Sequence, residues 1–134
     1  MGYCMNQEET EFFVSKDHLV PMMEAIRDLR GKESITDGSG RHFSWVSHNF
    51  HTLTDPVEML HAWRWEAEQD SEGNIDFIHF CGEKYGDDPL LFQTIAPFVT
   101  AGGYIQMRGE DGERWRWCFD GQKVTEQRAK VTWE

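Results

Sequence analysis

His79 and Cys81 stand two residues apart, and His48 and His51 stand three apart. With His42 and His61 they form a stock of imidazole and thiol ligands in the middle of the chain, the side chains that hold zinc. Neither pair belongs to a recognised metal unit such as Cys-x-x-Cys or His-Glu-x-x-His, so no metal site is assigned. Nucleophilic catalysis would need a thiol beside a base, and His79 with Cys81 is the near pair. Neighbours on one face of a strand lie about 6–7 Å apart, beyond direct hydrogen-bond reach. Cys81 also follows the apolar run IDFIHF, which reads as the setting of a buried, inert thiol. Acid–base chemistry could draw on Glu66 with Glu68, Asp87 with Asp88, or Glu110 with Asp111. In a chain with 24 acids such neighbours are expected by chance. No catalytic residue and no cofactor is assigned, and an enzyme using His79 and Cys81 ranks behind two binding roles.

The first binding role rests on charge. Thirteen bases against 24 acids give a net charge of −11. Such a surface repels phosphate backbones and anionic membranes, which excludes a nucleic-acid polymer as direct partner and favours a basic protein. Residues 66–88 concentrate the acids: Glu66, Glu68, Asp70, Glu72, Asp76, Asp87 and Asp88 are the expected interaction surface, beside the single base Lys84. The plainer account of the same acids is a solvated strand face with two helix caps. The second role rests on aromatics. Trp63, Trp65, Trp115 and Trp117, with Arg64 and Arg116, could line a pocket for a small ligand or nucleotide. In each WRW triplet the Arg alternates away from the rings, so packing in the core is the simpler use of the tryptophans.

The elements that must position these groups follow from periodicity and punctuation. With 134 residues the chain is one domain, and residues 1–10 are expected to fray. A strand is expected over 11–16, then a helix over 17–30 from the spacing of Leu19, Met22, Met23, Ile26 and Leu29, with Pro21 in its first turn. The Gly-rich stretch 31–41 has no phosphate-loop pattern, and 42–46 reads as a strand. Asp55, Pro56 and Glu58 have the spacing of a capped helix start. Alternation over 63–69 and the apolar run 75–81 flank the turn SEGN and predict a hairpin. Asp88 and Pro89 open a buried helix, which Pro97 and Gly102-Gly103 end. Strands over 104–109, 113–119 and 124–133 are divided by Asp111-Gly112 and Asp120-Gly121.

The sum is an α+β fold: a mostly antiparallel sheet with two or three helices on one face, in the ferredoxin-like neighbourhood. The two WRW triplets, 52 residues apart, admit an internal duplication as well as coincidence. Cys4, Cys81 and Cys118 are odd in number and widely spaced, so reduced thiols and a cytoplasmic location are expected, with no secretory signal or membrane span. A homodimer is left open.

HFSWV at 42–46, WRWE at 63–66, GEDG at 109–112 and WRWCFDG at 115–121 resemble segments of small acidic proteins of phages, plasmids and related mobile elements. The resemblance covers most of the chain and implies a setting. It carries over no activity and no site residue. Small acidic proteins of such elements are often inhibitors of nucleic-acid machinery, which is the form the first binding role takes here.

Overall fold

The computed structural model describes residues 2–33, 35–37 and 40–133, with the side chains of 36, 37 and 40–42 left aside. The elements run β1 (Met5–Glu11), α1 (Leu19–Arg27), β2 (Ile35–Asp37), β3 (Gly40–His42), α2 (Pro56–Ala62), β4 (Trp65–Gln69), β5 (Ile75–Phe80), α3 (Asp88–Ile95), β6 (Tyr104–Gly109), β7 (Arg114–Phe119) and β8 (Val124–Arg128). The α+β class holds, and the paired strands are antiparallel.

They form three sheets among the described residues rather than the expected one. Strands β1, β6, β7 and β8 lie in that order, while β2–β3 and β4–β5 are separate hairpins. The ferredoxin-like detail finds no support in this order, because β6, β7 and β8 run side by side as a meander with β1 added at one edge. The β4–β5 hairpin nonetheless leans on β1. Val14 and Ile75 exchange backbone hydrogen bonds of 2.8 and 3.0 Å, and Met5 N donates to Glu83 O at 2.9 Å. Between these two points a side chain does the work of a strand. The Gln7 amide donates to Ile78 O at 2.8 Å and accepts from Phe80 N at 2.6 Å.

Two strands depart from expectation. Residues 5–10, expected in a fraying tail, belong to β1, which ends at Glu11 where the sequence predicts a strand over 11–16 to begin; it pairs with β6 from Met5–Gly109 to Glu11–Tyr104, with a register shift between Gln7 and Thr10. Met5 and Phe12 are buried, while the residues between them are polar, so apolar alternation could not announce the strand. The strand expected over 42–46 is a turn beyond β3. Trp45 takes a left-handed backbone (φ 58°), and Ser44 N is drawn to the Asp87 carboxylate at 2.7 Å.

The helix starts are as local chemistry dictates. Asp55 caps α2 by accepting from Glu58 N at 3.0 Å, with Pro56 opening the helix. Helix α1 is shorter than its periodicity, preceded by a 3-10 turn at Lys16–His18 and followed by turns that end at Gly31 (φ 100°). Leu19, Met22, Met23 and Ile26 face the core, as does Leu29 just beyond. The N-cap position of α3 is Asp87, one residue before the expected Asp88, but its carboxylate makes no capping hydrogen bond and accepts from Ser44 N instead.

One core joins the inner face of the four-stranded sheet to the helices. Ile105, Met107, Trp115, Trp117 and Phe119 meet Met22, Ile26, Phe92 and Ile95 in a single cluster. Phe92 lies 4.7 Å from Trp117 and 5.0 Å from Trp65, ring centre to ring centre. Fully burying such rings stabilises by about 2–3 kcal/mol each.

Candidate functional site

The acidic hairpin is built by β4 and β5. Trp65, Ala67 and Ile78 turn inward, while Glu66 and Glu68 stand on the open face opposite His79 and Phe77. Beside this face, Ser47, Leu53, Val57, Glu58, His61, Ala62 and Glu66 line a groove of about 420 Å³. Its floor is apolar, and two carboxylates flank it.

The seven expected acids divide by role. Asp70 closes the hairpin turn, accepting from Glu72 N, Asn74 N and Asn74 Nδ2 at 2.9–3.0 Å. The Asn74 amide, ahead of the turn's backbone N–H groups, holds its carboxyl below the usual range. Asp87 is tied to Ser44 N. Asp88 is no surface residue: it is 2% exposed, and this corrects its place in the interaction face. Its Oδ2 accepts from Arg64 at 2.9 Å and from Gly86 N at 2.9 Å, and its Oδ1 accepts from Trp65 Nε1 at 2.9 Å. Cap-then-proline logic could not see this, because the partner lies 24 residues away. Glu66, Glu68, Glu72 and Asp76 remain exposed on the hairpin, and none is in an ion pair among the described residues.

Several acids elsewhere are partnered. Glu8 accepts from Arg114 at 3.0 Å and Gln106 at 2.8 Å. Glu113 and Glu126 each meet Arg128 at 3.0 Å, and Glu33 meets Arg30 at 2.9 Å. Glu9 and Asp111 accept from Tyr104 and Tyr3.

The expected ligand pocket is not assembled as one. Trp63, Trp65, Trp115 and Trp117 are each at most 2% exposed and belong to the core. The two WRW triplets also differ. Arg116 sits mid-strand on the open face of β7, its guanidinium 4.6 Å from the Tyr104 ring. Arg64 precedes β4 with a left-handed backbone (φ 73°), which swings its side chain inward to Asp88 instead of outward. There the guanidinium lies between Trp45 and Phe80, at 5.4 and 5.2 Å, and donates to Lys84 O at 2.6 Å. A Cβ at Gly82 or Gly86 would meet its terminal nitrogens at 2.9 or 2.8 Å, so both glycines make room for it. Trp45 and Arg64 are the only described non-glycine residues with positive φ, and they stack on each other. Spacing alone gave no sign of this corner.

Among the described side chains the histidines do not converge. Among the described residues no group of three or more His, Cys, Asp or Glu could hold a metal ion. His51 packs edge-on against Phe50, and the side chain of His42 lies outside the described residues. Cys81 is exposed beyond the end of β5, not buried in it. Its thiol pKa is pushed up by partial burial and then by the Glu66 carboxylate, opposite to the shift that activates a nucleophile.

No protein family, curated protein or solved structure matches this chain. Among the described residues no helix is long and apolar enough to cross a membrane.

Proposed function

We propose that the protein is a non-enzymatic interaction protein whose β4–β5 hairpin engages a basic protein partner. One observation carries this reading. Among the described residues Glu66, Glu68, Glu72 and Asp76 are in no ion pair, whereas Glu8, Glu113 and Glu126, on or beside the four-stranded sheet, pair with Arg114 and Arg128. Unpaired carboxylates on a firm strand face offer electrostatic complementarity without first breaking an internal pair. The adjoining groove suits a lysine or arginine: the aliphatic stem rests on Leu53, Val57 and Ala62, and the charge lies by Glu58 and Glu66. The mobile-element setting that the WRWE and WRWCFDG segments resemble belongs to the same proposal, with a nucleic-acid-handling protein as the basic partner.

The test is affinity recovery from the native lysate with the wild type, the double variant Glu66→Lys/Glu68→Lys, and Glu113→Lys as control. A basic protein held by the wild type and the control, and lost both in the double variant and at high salt, supports the reading. Retention indifferent to the hairpin charges sinks it, as does recovery of no basic protein.

A further inference from the structure

The C-terminal strands carry none of the chain's excess acid. Residues 1–103 hold 18 acids and 7 bases, while residues 104–134 hold 6 of each. Arg108 and Arg114 stand directly opposite each other in the β6–β7 register, an arrangement that costs stability. Arg116 follows two residues along the same face. With Trp115 and Ala129, the side chains of Gln106, Arg114, Arg116, Gln127, Arg128 and Lys130 line a groove of about 340 Å³. No acid lines it.

Arg116 is the most prepared of these cations. Its Nε donates to Gln106 Oε1 at 2.7 Å, and the Gln106 amide is itself fixed by donation to Glu8 at 2.8 Å. Tyr104 supports the guanidinium plane from one side. The tether uses Nε and a neutral partner, so the terminal nitrogens keep their charge and their donors, and no carboxylate pairs with Arg116 among the described residues. A stacked, tethered guanidinium with a free fork is the group that binds oxyanions bidentately. Gln127, opposite Arg116 in the β7–β8 register, accepts from Cys118 through Oε1, which leaves its NH2 group to donate.

We infer that this groove binds the phosphate group of a small ligand, held by Arg116 with Lys130 and the Gln127 amide. Its volume is that of a small-molecule site. A polymer is disfavoured by the net charge of −11, which a single phosphate group in a locally cationic groove escapes. This inference does not depend on the hairpin.

Isothermal titration of the full chain with inorganic phosphate and with inorganic pyrophosphate, at low ionic strength, tests it. Binding of either probe is expected, weakened at least about tenfold in Arg116→Gln. Gln106→Ala, which keeps the arginine and cuts its tether, should weaken it as well. Lys32→Gln removes the same charge from an exposed position outside the groove and should leave the affinity within about twofold. Binding by phosphate alone assigns a single-phosphate site, and binding only by pyrophosphate assigns a diphosphate. No binding of either probe overturns the inference, and so does equal weakening by Lys32→Gln and Arg116→Gln.

Discussion

Asp88 and Arg64 form a buried ion pair at 2.9 Å, with side chains 1% and 12% exposed. Burial pushes the Asp88 carboxyl above its ordinary 3.8, outweighing the attraction of Arg64 and the Trp65 hydrogen bond. The folded chain therefore holds this proton to higher pH than the unfolded chain does. Stability from this group is complete below about pH 3.8 and declines as pH rises through the raised value. Asp88→Asn removes that slope, so the stability advantage of wild type over variant should shrink with rising pH in denaturant titrations. Asp88→Ala strands the guanidinium and should cost about 3–5 kcal/mol at neutral pH.

Gln7→Ala cuts the side-chain clasp between β1 and β5. Ile78 O and Phe80 N lose their partner, for a cost of about 1–3 kcal/mol. Amide hydrogen exchange should speed up at Phe80 while β6 and β7 keep their protection. Unchanged exchange at Phe80 would show that the clasp does not hold the hairpin.

Tyr3 donates to Asp111, and that bond, ahead of burial and the acid's charge, pushes the Tyr3 pKa up to about 12. A methyl group at Gly109 would overlap the outer end of the Tyr3 ring. In Gly109→Ala the ring should swing clear, and the Tyr3 pKa should fall back toward 10.0 in an ultraviolet titration. A tyrosine still titrating near 12 would mean that the ring had held and the strand had moved.

Asp55→Ala removes the cap of α2 and should cost about 1 kcal/mol in urea unfolding. Asp55→Asn, which keeps an acceptor oxygen, should recover most of it.

That cap was legible because its parts lie within four residues, Asp55 to Glu58, and so were the hairpin turns at Asp111-Gly112 and Asp120-Gly121. Strand β1 was not. Its sequence MNQEETE has no apolar rhythm, and pairing with β6, nearly a hundred residues on, makes it a strand. Alternation sent Arg64 outward, but a left-handed backbone turned it toward an aspartate on another element. The acidic hairpin was visible as composition. Which of its carboxylates were engaged was not, because the partners of Asp87 and Asp88 are fixed only by the tertiary fold.

The uneven placement of charge along the chain bears on how fast a partner arrives as well as where it rests. An approaching cation meets an attractive field from residues 1–103, which hold all of the excess acid, and a nearly neutral field from the C-terminal strands. On the proposed reading of the hairpin, the association rate with a basic partner should fall steeply with ionic strength while the dissociation rate changes little.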